Sequence, residues 1–317
     1  MMSATPYFTV LIATYQRPTL LVEAVQSVLA QDFADYEVLI IDDASPDNTA
    51  QVAQALVTEN IRYLRQPTNQ GIGAARNLAI REARGELLVL LDDDDRLAPD
   101  FLRQVYQAWQ NFPPTVGFAL PGRAVIKCTE AGKEKLITEI NFGATAPVIK
   151  RGHAYLQKQS GGGGGLILCL TRAREVGEFI THRAEAEDTD FLIRMALVGD
   201  MAIIPQAKYL VYTRALPQLS NGTEWIGGAP ERLADRHRKT LRNYPRTLQS
   251  YYVLAARGFY ARQDRSGGRR CMAKAIRLTP FSWRAWRLWV LFELHKFLPM
   301  SLRRRLFTHA RHGYQAS

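Results

Sequence analysis

Cysteine, histidine and long apolar runs are scarce in this chain of 317 residues, and each shortage excludes something. The three cysteines, Cys128, Cys169 and Cys271, are far apart and odd in number. They form no disulfide framework and no zinc-ligand spacing, which suits a reducing compartment. The six histidines are dispersed, and His153, His182 and His237 have no metal-ligand spacing to one another. No uncharged apolar stretch reaches the roughly 18 residues of a membrane-spanning helix. The N-terminus runs into a strand at Phe8 without a basic and then apolar leader, so no signal peptide is expected. No Gly-Lys-Ser/Thr is present, which excludes a P-loop. Acidic residues are nearly missing from the C-terminal part. Residues 231–317 carry 20 Lys and Arg against 4 Asp and Glu, a net of +16, while residues 1–230 carry 21 against 26, a net of −5. The overall +11 therefore belongs to the tail. Such asymmetry suits a tail that meets a polyanion, either a membrane surface or nucleic acid.

What the chain does have is Leu88-Val-Leu-Leu-Asp-Asp-Asp-Asp95, four carboxylates directly after an apolar run. Neighbouring like charges disfavour one another's ionisation. In an open α/β sheet the carboxyl end of a strand is also where ligands bind. A hard divalent cation with a phosphate ligand is the natural occupant, since Mg²⁺ takes one or two protein carboxylates and fills its shell with phosphate oxygens and water. The alternative for an isolated tract is a solvated acidic turn.

Apolar patterning supplies the frame. Phe8–Ala13, Glu37–Ile41, Ile61–Leu64 and Glu86–Leu91 read as buried strands. Between them, helical spacing is predicted over 19–31, 49–58 and from the turn Asn69-Gln-Gly-Ile-Gly73 through about Arg84. Four β-to-α alternations in the first hundred residues imply a parallel sheet with helices on both faces. A helix is predicted from Pro99, irregular strands over 115–145, a helix over 187–198, and two short strands, Met201–Ile204 and Tyr209–Tyr212. Gly161–Gly165 reads as a flexible loop or a close backbone approach. Residues 214–230 read as a loop, with Arg214 in a segment able to close over a ligand. Beyond it, Tyr251–Arg262 and Arg269–Leu278 suggest a helical hairpin broken at Ser266-Gly-Gly268, then a helix with Trp283, Trp286 and Trp289 flanked by Arg284 and Arg287. The expected division is 1–230 (a nucleotide-binding half to about 115 and an acceptor half over 116–230) and a basic helical extension over 231–317.

Gly71-Ile-Gly73-Ala-Ala-Arg76 is not a dinucleotide fingerprint, because it follows the third strand and Arg76 replaces the last glycine. Five segments in order do resemble one family. They are Val10-Leu-Ile-Ala-Thr-Tyr-Gln-Arg-Pro18, Ile40-Ile-Asp-Asp-Ala-Ser-Pro-Asp-Asn-Thr49, Asn69-Gln-Gly-Ile-Gly-Ala-Ala-Arg-Asn77, Leu91-Asp-Asp-Asp-Asp95, and Val176-Gly-Glu-Phe179 followed by Glu187-Asp188. Together they resemble the inverting family 2 glycosyltransferases of GT-A fold over residues 8–215. The resemblance implies an α/β fold with a Rossmann-like mixed sheet and a C-terminal α-helical extension.

The resemblance also implies roles. Ala13, Thr14, Tyr15 and Arg17 would lie at the nucleotide, with Tyr15 stacking on the base. Asp43 would accept from a base N–H, which favours uracil, because an ionised carboxylate only accepts. Asp42 would join it or tie down the loop. Gly71 and Arg76 would sit beside the nucleotide at a helix N-terminus. Asp92-Asp93-Asp94 contains the family's D-x-D. Asp94 would ligate Mn²⁺ or Mg²⁺, Asp92 would contact ribose or sugar, Asp93 would hold the variable middle position, and Asp95 would orient the loop or the donor sugar. All four carboxylates are open as direct ligands. Asp188 matches the general base, with Glu187, also a sugar contact, and Asp190 as rivals. A nucleotide-sugar donor, UDP-linked by preference, and a glycan or lipid-linked acceptor follow. The expected setting is cell-surface polysaccharide synthesis in the cytoplasm, with an anionic membrane surface as a partner for the basic helices. Alternatives are a degenerate carbohydrate-binding scaffold and a nucleic-acid-binding protein using the tail. No recognised nucleic-acid module is present, so no nucleic acid is expected.

Overall fold

A computed structural model of the protein describes residues 5–128, 134–142, 144–150, 164–182, 186–213 and 228–294. These fall into two compact units. The first holds the described residues up to 213, apart from 182 and 186, which cluster with 228–294 in the second. Predictions for His153, Gly161–Gly163, Arg214 and the loop after it lie outside the described residues.

The first unit is built on a ten-stranded mixed sheet. Strands β1 (Phe8–Thr14), β2 (Tyr36–Asp42), β3 (Ile61–Arg65) and β4 (Leu87–Asp92) run parallel in the order β3-β2-β1-β4. Helices α1 (Pro18–Leu29), α2 (Thr49–Ala55) and α3 (Ile72–Glu82) connect them, as the alternation of apolar runs and helical spacing predicts. Both strand faces are apolar because both are covered. Phe8, Val10, Ile12, Val38, Ile40, Val89 and Leu91 join a core with Leu21 and Val25 of α1 and with Phe101, Leu102 and Val105 of α4 (Phe101–Trp109). The alternate residues Leu11, Leu39, Ile41, Leu88 and Leu90 are equally buried, with α3 against β1 and β2.

The sheet continues through β9 (Ile167–Cys169), antiparallel to both β4 and β6 (Val116–Cys128), then β10 (Asp200–Thr213) parallel to β6, and ends at the short β5 (Arg96–Leu97). Strands β7 (Glu134–Ile140) and β8 (Val148–Lys150) pair with β6 and β10. The two short strands expected at 201–204 and 209–212 are one strand. A bulge absorbs residues 205–207, since Ile204 pairs with Pro121 and Lys208 already with Gly122. The apolar pattern breaks at the bulge, so the sequence reads as two pieces. Helices α5 (Leu170–Val176) and α6 (Glu187–Val198) complete the unit, α6 over the predicted residues.

The second unit is helical: α7 (Gly228–Arg236), a 3₁₀ turn (Thr240–Asn243), α8 (Pro245–Ala261), α9 (Arg265–Leu278) and α10 (Trp283–Glu293). The hairpin break falls at Gln263, at φ 65°, and not at Ser266-Gly-Gly268, which lies inside α9. Those glycines mark a close helix crossing. A Cβ on Gly267 would lie 2.6 Å from Phe259, and one on Gly268 2.5 Å from Tyr260. Ala255, Ala256, Tyr260, Cys271, Met272 and Phe292 form the unit's core.

Candidate active site

Parallel pairing brings the ends of β1, β2 and β4 to one level: Thr14 is in register with Asp42, and Ala13 with Asp92. The backbone that follows each strand carries the polar residues of the motifs. Two of these loops hold a non-glycine residue at positive φ, Gln16 at 56° and Ala44 at 61°. The loops hold one another, since the Gln16 N–H donates to Ser45 Oγ at 2.9 Å and the Asp43 N–H to the Thr14 carbonyl at 3.0 Å. Strained backbone persists only where the surroundings over-determine it, and it clusters at functional sites. Tyr15 stands between these anchors and is 39% exposed.

The two aspartates after β2 divide their work. Asp42 is wholly buried, accepting from the Ser45 N–H at 2.8 Å and the Tyr63 hydroxyl at 3.1 Å, with Arg65 at 3.6 Å. It braces the loop, which suits the second of the two roles that the resemblance leaves open for it. Asp43 accepts from Gln66 Nε2 at 2.7 Å and from the N–H groups of Gln70 and Gly71, each at 2.8 Å. It draws the start of α3 toward β2. Gly71 takes φ 87° there, with open space where a side chain would be. Gly73, by contrast, meets this chain's own backbone: a Cβ on it would lie 2.2 Å from the Ile180 carbonyl oxygen.

The acidic run alternates. Asp92 and Asp94 open outward, 36% and 24% exposed, whereas Asp93 and Asp95 are buried. Asp93 accepts from Thr14 Oγ1 at 2.8 Å and from Arg17 at 2.9 Å, and burial still pushes its carboxyl up to about 6. Arg17 also reaches Asp94 at 3.1 Å, so it clamps the loop after β1 to the loop after β4. Asp95 accepts from the Tyr212 N–H at 2.8 Å, and burial with the Asp92 and Asp94 charges raises its carboxyl well above the usual range. Of the two roles expected for Asp95, orienting the loop is the one its burial suits. Tyr209, unremarked in the sequence, is buried beneath: its hydroxyl accepts the Asp92 N–H at 3.2 Å and bonds the Asp95 carboxylate. Gly164 lies on the same ring, where a Cβ would sit 2.1 Å from the Tyr209 hydroxyl and 2.5 Å from Asp92 Oδ2. The last glycines of the five-glycine run thus serve close approach, with Arg123 donating to the Gly164 carbonyl at 3.0 Å.

Arg76 ties the strand ends to α6. It is buried, 3.3 Å from Glu187 and 3.9 Å from Asp92. Its guanidinium lies over the Phe179 ring at 5.5 Å, and that ring stacks on Phe191 of α6 at 3.8 Å. Asn77 closes the same link, donating to the Phe179 carbonyl and accepting its N–H. Burial and the Asp188 charge push the Glu187 carboxyl up to about 7 against the pull of Arg76. Burial raises Asp92 as well, opposed by Arg76 and Arg123 and aided by the charges of Asp94 and Asp188. Asp188 therefore belongs to the same electrostatic cluster as Asp92, Asp94 and Glu187. Its Oδ1 accepts from the Thr189 N–H at 2.7 Å. Asp190 is buried and paired with Arg194 at 2.9 Å. Among the described residues no three His, Cys, Asp or Glu side chains form a ready metal cage. Two outward carboxylates fit instead a hard cation that completes its shell with phosphate and water.

The motifs at these strand ends lie within a stretch, residues 9–158, that matches the model of glycosyl transferase family 2. These residues belong to glycosyl transferase family 2. Among relatives of this chain, the succinoglycan biosynthesis protein ExoO of Rhizobium meliloti is 28% identical over 230 residues, covering 66% of this chain and 61% of that protein. The GalNAc(5)-diNAcBac-PP-undecaprenol beta-1,3-glucosyltransferase of Campylobacter jejuni is 36% identical over 105 residues, covering 32% and 34%. The chain thus spans about three-fifths of the first relative's length and a third of the second's. Among solved structures, S. aureus TarS 1–349 in complex with UDP-GlcNAc shares the fold with a TM-score of 0.69 at 17% identity, covering 98% of this chain and 93% of that one. Mannosyltransferase PcManGT from Pyrobaculum calidifontis in complex with GDP-Man and Mn²⁺ does so at 0.57 and 18%, covering 98% and 85%. The expected GT-A architecture with a helical C-terminal region is the observed one.

Proposed function

We propose that this protein is an inverting glycosyltransferase that moves a sugar from a nucleoside diphosphate, UDP by preference, to a hydroxyl of a glycan or lipid-linked acceptor. The observation that carries the reading is the bridge made by Arg76, 3.3 Å from Glu187 and 3.9 Å from Asp92, which brings the start of α6, with Asp188, to the acidic end of β4. Tyr15 offers a ring to the base. Asp43 retains accepting capacity for a base N–H, since a carboxylate has about four lone-pair sites and three are used. Uracil N3–H fits that requirement.

Asp94, with Asp92 beside it, would hold Mn²⁺ or Mg²⁺. When bound, such an ion supplies Lewis-acid neutralisation of the diphosphate. The remaining work falls to side chains. Arg76 keeps Asp92 and Glu187 in place, and Glu187 would contact sugar hydroxyls. Asp188 takes the acceptor hydroxyl proton while that oxygen bonds the anomeric carbon and the bond to the diphosphate oxygen breaks on the opposite face, which inverts the centre. The names of the relatives, one in succinoglycan biosynthesis and one acting on a PP-undecaprenol-linked glycan, support an acceptor in polysaccharide synthesis. The proposed compartment is the cytoplasm, at or near a membrane carrying such acceptors.

A screen of nucleotide-sugars for release of free nucleoside diphosphate tests the reading. Release from a UDP-sugar should depend on Mn²⁺ or Mg²⁺, and Asp188→Asn should lower it by about 10²–10⁴-fold, the usual contribution of a general base. Release from no nucleotide-sugar, or undiminished release by the variant, contradicts it.

A further inference from the structure

Helix α10 is apolar on two opposite sides. Ala285 and Phe292, with Leu288 and Trp289 partly covered, face the core of the second unit. On the other side Trp283, Trp286, Val290 and Leu294 are 77%, 43%, 53% and 47% exposed, and Phe281 just before the helix is 99% exposed. At 3.6 residues per turn those four side chains fall within an arc of roughly 80°. Scattered exposed apolar residues need no explanation, but a continuous row of this kind marks an interaction surface. The row is rigid. Ser282 caps the helix by accepting the Ala285 N–H, Trp286 Nε1 donates to the Pro280 carbonyl at 2.9 Å, and the Trp286 and Trp289 rings stack at 5.6 Å.

The flank of the row is cationic. Arg284 and Arg287 are exposed, and among the described residues neither has an acidic partner. Arg257 of α8 is also without one, and its buried Nε makes no hydrogen bond. Burial and the charge of Arg284 lower its pKa, the mark of a cation with no counter-charge. Among the described residues of the unit, Glu231 pairs with Arg270 and Lys274, Asp235 with Lys274 and Glu293 with Arg269, while Asp264 caps α9 by accepting the Gly267 N–H.

We propose that this face of α10 seats the protein on an anionic lipid bilayer, with Phe281, Trp283, Trp286 and Val290 entering the headgroup boundary and Arg284, Arg287 and Arg257 meeting lipid phosphates. Charge complementarity selects this occupant. The surface joins Trp-rich apolar contact to unpaired arginines, as interfacial helices do. The excess of 20 basic over 4 acidic residues in 231–317 adds long-range attraction to such a surface. The proposal is independent of the donor chemistry.

The test is co-sedimentation of the full chain with vesicles of phosphatidylcholine alone or with about 30 mol% phosphatidylglycerol, read with tryptophan emission. The protein should bind the anionic vesicles only, release at high salt and shift its emission to the blue. Trp283→Ser with Trp286→Ser, and separately Arg284→Glu with Arg287→Glu, should each weaken binding at least about tenfold, with the melting curve and UDP binding unchanged. Phe281→Ser, outside any packed contact, serves as the variant that cannot fail by misfolding. Three results overturn the proposal: no binding to anionic vesicles, equal binding by all the variants, or a concentration-dependent dimer or a nucleic-acid complex that the same variants abolish.

Discussion

Arg76 is the residue on which the acidic cluster depends. It is the buried cation between Asp92 and Glu187, and its removal leaves Glu187 facing Asp188 without a cation and Asp92 with Arg123 alone. Arg76→Ala should destabilise the protein by about 1–3 kcal/mol in urea unfolding, the usual cost of removing a charged hydrogen-bond partner at a partly exposed site. Tyr209→Phe is subtler. It removes one hydroxyl that serves the Asp92 N–H and the Asp95 carboxylate, so we expect a loss of about 1–2 kcal/mol and several-fold weaker Mn²⁺-dependent UDP binding. Unaltered melting and binding would remove Tyr209 from the site's support. At this scale the sequence was legible in kind but not in direction. Asp92–Asp95 announced an acidic strand end, yet only coordinates separate the outward pair from the inward pair. Asp42 reads like Asp43, although one is sealed by Ser45 and Tyr63 and the other holds the α3 loop. Tyr209 is 117 positions from Asp92, and no local pattern links them.

Among elements, the helices of the second unit are held by charge as well as by apolar contact. Glu231 of α7 accepts from Arg270 and Lys274 of α9, and these bonds pull its carboxyl down to about 2 against the effect of burial. A folded pKa below the unfolded one gives stability that is present above about pH 4.5 and lost as pH falls toward 2. Glu231→Gln should therefore cost about 2 kcal/mol at pH 7, allowing for the half-exposed Arg270, and progressively less in melts at pH 4 and pH 3. A deficit independent of pH would assign the effect to packing. Gly268→Ala should cost about 1–3 kcal/mol, because the added methyl meets the Tyr260 ring, and a neutral result would deny the close crossing. Elements were the most legible level. The strands β1, β2 and β4 follow directly from their apolar runs, since they are buried almost throughout, and helix α6 follows from its period. The bulge in β10 and the glycines inside α9 were misread for one reason. Each breaks a local rule to satisfy a contact distant in sequence, Pro121 and Gly122 in one case and Phe259 and Tyr260 in the other.

For the molecule as a whole, the sign of charge divides along the sequence: an acidic family 2 segment carrying the strand-end cluster, and a basic helical region carrying the exposed row of α10. The central claim concerns the first of these, that loops from β1, β2 and β4 with the start of α6 make one nucleotide-sugar site. Calorimetric titration of UDP in the presence of Mn²⁺ tests it most directly. The account predicts saturable one-to-one binding by the natural protein, retained in Asp188→Asn, weakened at least about tenfold in Asp94→Asn as a lost metal ligand would require, and lost when Mn²⁺ is withheld. Absence of UDP binding, or binding that neither Asp94→Asn nor withdrawal of Mn²⁺ alters, would contradict it.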